Sequence, residues 1–144
     1  MFPIATPLPR CDAEVVIAPT VPRVLLIDDA VDEREMYAEW FRYHGFCTLQ
    51  ASSASDGFRL ATELAADVII TDVRLPGGDD GLRLTRRLKT TDSTAHIPIV
   101  VLSGYPDRAE IEAATRAGCD RVVPKPCGPD RLAAIAASLI ANTR

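Results

Sequence analysis

Two hydrophobic periods alternate along this chain, and that alternation restricts its fold more than any other feature. Short apolar runs rich in branched aliphatics recur at residues 24–27, 46–50, 68–71, 97–102 and 121–123. Such runs suit strands buried on both faces of a parallel sheet. The stretches between them carry helical spacing. In the first, Met36, Tyr37, Trp40, Phe41 and His44 form one stripe, and Gly45 is a C-terminal stop. The second runs from about Ala54 to Leu64 with Ser53 or Ser55 as its cap. The third covers roughly Asp80 to Lys89 and packs through Leu82, Leu84 and Leu88. A fourth follows Pro106 and stops at Gly118, and a fifth from about Pro129 aligns Leu132, Ile135, Leu139 and Ile140. Strands and helices in strict alternation imply right-handed βαβ crossovers. The expected fold class is therefore α/β, a doubly wound five-stranded parallel sheet between two layers of helices.

With 144 residues the chain suffices for one well-buried core and not for two ordinary domains. Residues 1–22 hold five of the eleven prolines and are expected to form an extended tail, with Val15 to Ala18 as an added short strand. The folded domain is expected over residues 23–144. A net charge of −4 provides no basic footprint for nucleic acid or an anionic membrane. The local basic cluster of Arg83, Arg86, Arg87 and Lys89 has the spacing of a wet helix face. Cys11, Cys47, Cys119 and Cys127 lie far apart without a C-x-x-C pair, so free and mostly buried thiols are expected. The first residues lack the pattern of a secretory signal, and the longest apolar run, Leu132 to Ala141, is about half a membrane span. A cytoplasmic protein is the expectation that follows.

In an open parallel sheet, function gathers beyond the carboxyl ends of the strands. Here the first apolar run ends in Asp28 and Asp29, the third in Thr71 and Asp72, the fourth in Ser103 and the fifth in Pro124 and Lys125. A lone Asp at a strand end is more often a cap or turn residue, a lone Ser before Gly104 is more often in a turn, and a lone Lys is usually a surface charge. Their occurrence in order at successive strand ends outweighs those separate readings. Carboxylates brought together repel and call for a cation, and an all-oxygen donor set favours a hard ion such as Mg²⁺. A carboxylate beside that ion can act as a nucleophile toward phosphorus, with a lysine and a hydroxyl holding the other phosphoryl oxygens.

At these residues the sequence resembles the receiver domains of two-component response regulators, the family of the bacterial chemotaxis response regulator. The matching text is VLLIDDAVDERE, IITDVRLPGGDDGL, PIVVLSGYPD and VVPKPC, in the family's order. The resemblance runs from about Arg23 to the C-terminus and implies a flavodoxin-like (βα)5 fold. It implies that Asp72 is the phosphoacceptor, that Asp29 binds Mg²⁺ directly and that Asp28 acts through a bound water. Arg74 would offer its backbone carbonyl to the metal, Ser103 and Lys125 would bind the phosphoryl group, and Pro126 would follow a cis peptide bond. It further implies a sensor histidine kinase or phosphotransfer protein as donor, and a phosphoacceptor with weak self-catalysed phosphorylation and dephosphorylation rather than an ordinary enzyme.

Several positions depart from the family's pattern. Val122 stands where many receivers carry an aromatic residue that swings inward, a motion this branched side chain cannot make. Pro124 lacks a strand donor, so the last strand should end early or have an irregular edge. The loop from Leu75 to Gly81 is one residue longer than the commonest form, and Arg74 is a bulky cation beside the site. Because the chain ends with its last helix, the expectation is a stand-alone switch acting through a downstream protein effector, with room for a homodimer. Arg108, Glu110, Glu112, Arg116 and Arg131 are candidate contacts for that effector, although they also suit a solvated face. Two alternatives compete: a pseudo-receiver that binds partners without phosphate, and a phosphohydrolase. The second lacks the acid–base carboxylate it needs at position 74.

Overall fold

The structure, a computed structural model, describes residues 21–77 and 80–143. Five strands, β1 (Arg23–Ile27), β2 (Cys47–Ala51), β3 (Val68–Asp72), β4 (Ile99–Ser103) and β5 (Arg121–Pro124), alternate with five helices. The helices are α1 (Val31–Tyr43), α2 (Ala54–Leu64), α3 (Gly81–Lys89), α4 (Arg108–Ala117) and α5 (Pro129–Thr143). All strand pairs are parallel, in the order β2-β1-β3-β4-β5. The chain thus starts near the middle of the sheet, winds to one edge and returns to the other, which is the doubly wound arrangement expected.

The period of two along each strand divides the core into two sides. Val24, Leu26, Val68, Ile70, Val100 and Leu102 pack against α1 and α5 through Tyr37, Phe41, Leu132 and Ile140. Leu25, Ile27, Ile69, Ile99 and Val101 face the opposite way, against Ala54 and Ala61 of α2 and Leu84 and Leu88 of α3. β3 and β4 are buried at every residue, as strands covered on both faces must be.

Local signals set the element ends. The Ser53, Asp80 and Asp107 side chains accept N–H bonds at the starts of α2, α3 and α4, leaving Ser55 uninvolved in capping. Gly118 closes α4 at a φ of 100°, and Gly45, just beyond α1, has a φ of 89°. The face that α1 buries differs from the expected stripe. It comprises Tyr37, Ala38 and Phe41, whereas Met36 and Trp40 are 37% and 38% exposed. Residues 36 and 40 lie one helical step from 37 and 41, and Trp40 instead joins Tyr43 and His44 in a ring cluster at the helix end.

β5 runs through Pro124, which pairs with Ser103. The Lys125 N–H donates to the Ser103 carbonyl at 2.8 Å, so the nitrogen of residue 124 faces the open edge, where no ladder bond is lost. The basic cluster on α3 is only partly a wet face. Arg86 and Arg87 are exposed, with Arg87 resting 3.7 Å over the Phe58 ring, but Lys89 is mostly covered and pairs with Asp120 at 3.1 Å.

The thiol expectation also needs correction. Cys119 and Cys127 are free, but Cys47 is disulfide-bonded. Wide spacing in sequence says nothing about distance in space, so the pairing could not be read from the chain. The expected tail, its strand at residues 15–18 and Cys11 lie outside the described residues. Among the described residues no helix is long and apolar enough to cross a membrane.

Candidate functional site

The carboxyl ends of β1, β3, β4 and β5 bring the expected side chains to one edge of the sheet. Asp28 follows β1 directly and is 5% exposed. Its N–H donates to the Ala51 carbonyl at 3.0 Å, and its own carbonyl accepts from the Arg34 guanidinium at 2.7 Å. Its Oδ1 accepts the Ala30 N–H at 2.8 Å, whereas buried Oδ2 has no hydrogen-bond partner. Asp29 is exposed beside it.

Asp72, the last residue of β3, is 6% exposed. Its backbone is gripped from two directions. The Thr71 hydroxyl donates to its carbonyl at 3.0 Å, and Gly81 lies so close that a Cβ there would collide with that carbonyl. Gly81 therefore lets α3 begin against the end of β3. The Gly81 N–H also donates to the Val73 carbonyl at 2.6 Å, and an antiparallel bridge joins Arg74 to Asp80. This close return of the chain positions the loop beyond Asp72.

Lys125 reaches across from the turn after β5. Its Nζ lies 2.6 Å from Asp72 Oδ1 and 3.2 Å from Glu33 Oε2. The contact with Asp72 is an ion pair without the angles of a hydrogen bond, and Oδ1 has no other partner. Burial opposes charge on Lys125, but Asp72 and Glu33 together outweigh it and hold its pKa above the usual value. Burial pushes the Asp28 carboxyl up and nearby Asp72 adds to the shift, with the neighbouring Glu33 carboxyl acting the other way. Glu33 is likewise raised by burial and by Asp28. The Lys125–Pro126 peptide is cis, as expected.

The donor set fits a divalent cation. Oxygens of Asp28, Asp29 and Asp72 all lie within 4.8 Å of one another, and the orphaned Asp28 Oδ2 is a buried acceptor with nothing to accept. Hard oxygen donors with an excess of negative charge suit Mg²⁺.

Ser103 ends β4 on the other side of Asp72 and is 2% exposed. Its hydroxyl lies 2.7 Å from Glu110 Oε2 and accepts the Tyr105 N–H at 3.2 Å. Asp72, Arg74, Ser103, Glu110 and Lys125 line one cavity of about 320 Å³. A larger groove of about 660 Å³ runs between α3 and α4 and contains none of these polar groups.

Three residues of this edge escaped the sequence reading of the site. No motif in the sequence marks Glu33 or Gly81 as a site residue, and the sequence expectation for Glu110 is an outer docking face. Glu33 and Glu110 stand in the first turns of helices, where acidic residues are common for dipole reasons alone. The only sequence signal for Gly81 is a poor helix former at a helix start, directly after an Asp cap.

The doubly wound sheet thus carries an acid cluster, a hydroxyl and a lysine together at its carboxyl edge, which defines an α/β class with a polar site at the strand ends. The sequence model of the response regulator receiver domain matches residues 24–137. The chain belongs to that family and is a receiver domain of two-component signalling. The transcriptional regulatory protein AruR of Pseudomonas aeruginosa is 32% identical over 129 residues, covering 86% of this chain and 51% of AruR. The polar-differentiation response regulator DivK of Brucella anthropi is 25% identical over 108 residues, covering 75% of this chain and 87% of DivK. A crystal structure of a putative response regulator from Chloroflexus aurantiacus superimposes with a TM-score of 0.79 at 27% identity, covering 85% of this chain and 99% of that one. The chain spans about half the length of AruR and of two other curated relatives, 51%, 52% and 45% respectively.

Proposed function

We propose that residues 23–144 form a phosphorylation switch that accepts a phosphoryl group on Asp72. The observation that carries this reading is the grouping of Asp28, Asp29 and Asp72 within 4.8 Å, with Lys125 paired to Asp72. A buried carboxylate flanked by other carboxylates and one ammonium is arranged to receive phosphorus once a cation offsets the charge.

Asp28, Asp29, Asp72 and the backbone carbonyl of Arg74 are the groups that would hold Mg²⁺. Bound Mg²⁺ supplies charge neutralisation for the phosphoryl oxygens. The donor is a phosphohistidine on a kinase or phosphotransfer protein. The Asp72 Oδ–P bond forms as the P–N bond breaks, and the imidazole nitrogen keeps the electron pair. Lys125 is already at Asp72 Oδ1 and turns its remaining protons to the new phosphoryl oxygens. Ser103 binds another of these oxygens. Later hydrolysis of the acyl phosphate returns Asp72, so the domain is a switch rather than a turnover catalyst. Its output is binding to a downstream protein.

The test is incubation with acetyl phosphate and Mg²⁺, read by intact-protein mass. One added phosphoryl group is expected on the parent and none on Asp72→Asn. No modification by acetyl phosphate or by a phosphorylated histidine kinase would sink this reading and leave a phosphate-independent binding module.

A further inference from the structure

We infer that Glu110 is a latch on Ser103, so that phosphoryl capture frees the first turn of α4. The inference rests on Asp72 as phosphoacceptor and extends that reading to how the loaded site is reported.

A serine hydroxyl has one proton to give. A carboxylate can only accept, so at 2.7 Å the Ser103 proton is committed to Glu110 Oε2. A phosphoryl group on Asp72 also presents only acceptors toward Ser103, and it needs the same proton. Ser103 cannot serve both. Glu110 lines the same cavity as Asp72 and Lys125, so its carboxylate would also face the charge of the incoming phosphoryl group. Loading therefore breaks the Ser103–Glu110 bond and repels its acceptor.

Releasing Glu110 acts on a defined element. Glu110 lies in the first turn of α4, where its own N–H donates to the Asp107 cap at 2.8 Å. The side chains beside it are already turned outward. Tyr105 is 85% exposed and Ile111 is 42% exposed. A change at Glu110 thus alters a surface carrying apolar groups that a partner can bury. Val122 has no ring to swing, and the Glu110 latch provides a route from Ser103 to the surface that needs none.

The test compares parent, Glu110→Gln, Glu110→Ala and Ser103→Ala by hydrogen exchange at the first turn of α4. Each is measured with and without acetyl phosphate and Mg²⁺, while intact mass reports loading separately. In the parent, loading should raise exchange at the Glu110 and Ile111 amides. Glu110→Ala should show raised exchange before loading and no further rise after it. Its loading rate should increase roughly threefold to tenfold, the factor that one net hydrogen bond carries. Glu110→Gln keeps an acceptor for Ser103 and should match the parent before loading, yet load faster because the repulsion is gone. Ser103→Ala lacks both the latch and a phosphoryl contact, so it should load more slowly. It should show raised exchange at these amides before loading, and no further rise in whatever fraction intact mass reports as loaded. A fully loaded parent with unchanged α4 exchange, or Glu110→Ala behaving as the parent, overturns the latch alone. A parent that takes up no phosphoryl group overturns the reading of Asp72 and the latch with it.

Discussion

The two halves of the site are built differently. On the loading side, Asp28 and Asp72 are held by backbone bonds and close packing. Asp28 is tied to Ala51, Ala30 and Arg34, and Asp72 is fixed through Thr71 and Gly81. On the reporting side, Ser103 engages α4 through one side-chain bond, to Glu110. Several simultaneous bonds make a rigid cradle that survives the loss of any one. A single bond between two side chains can exchange partners at little cost. The difference teaches where motion belongs: chemistry needs fixed carboxylates, and signalling needs a contact that loading can replace.

The largest expected effect breaks the rigid half. In Gly81→Ala the added methyl meets the Asp72 carbonyl, which is backbone and cannot rotate away. Either α3 shifts or the end of β3 does. Overpacking of this kind costs about 2–3 kcal/mol. Denaturant unfolding should show that loss, and loading by acetyl phosphate should fall, opposite in sign to the rise expected for Glu110→Ala. If Gly81→Ala keeps the parent's stability and loading rate, the cradle is not rigid and the contrast between the halves fails.

A smaller effect concerns the electrostatics of the same half. Because the Asp28 and Glu33 pKa values are raised, their contributions to stability are fully present below their ordinary values of 3.8 and 4.5. Those contributions are lost as pH rises through the shifted values. At neutral pH without a divalent ion, the charged Asp28 with its unpartnered oxygen is therefore a burden on the fold. Asp28→Asn removes that charge. In chelator at neutral pH its Tm should exceed the parent's by about 4–6 °C, as roughly 1.5 kcal/mol does in a domain of this size. Saturating Mg²⁺ should raise the parent's Tm and leave the variant nearly unmoved. The advantage in chelator should shrink as pH falls toward 3.8. A variant less stable than the parent in chelator would refute the electrostatic account.

The same contrast explains what the sequence could disclose. Strands covered on both faces must be apolar throughout, so the polar residues that end them stand out. Asp28, Asp29, Asp72 and Ser103 were legible for that reason, Lys125 by its place in order after the short apolar run of the exposed edge strand β5, and the alternation of periods revealed the sheet they edge. Glu33 and Glu110 were not legible as site residues. Their roles depend on which strand end lies opposite, Lys125 for one and Ser103 for the other, and no local pattern encodes that meeting. Gly81 shows its purpose only once β3 and α3 are brought together. On α1, residues 36, 37, 40, 41 and 44 read as one stripe, and only the tertiary packing leaves 36 and 40 half exposed while 37 and 41 are buried. Cys47 belongs to the same class, because its pairing is a fact of tertiary distance.

The smallest effect probes how firmly Lys125 is mounted. The buried Tyr37 hydroxyl donates to the Cys127 carbonyl at 2.8 Å, tying α1 to the turn that carries Lys125. Tyr37→Phe keeps the ring and leaves that carbonyl without its donor, which costs about 1 kcal/mol at neutral pH. Burial, with Glu33 nearby, pushes the phenol pKa from 10.0 up to about 12. A raised folded pKa means that the stability from this group is fully present below pH 10 and lost as pH rises through about 12. The gap between parent and Tyr37→Phe should therefore be constant from neutral pH to pH 9 and narrow through the alkaline window. Denaturant unfolding of the two proteins at matched pH measures it, and the titrations they share cancel in the difference. A gap that stays constant beyond pH 12 would show that the phenol ionises no more readily unfolded than folded. Tyr37 would then not be the buried strut it is taken to be, and Lys125 would belong with the movable half of the site.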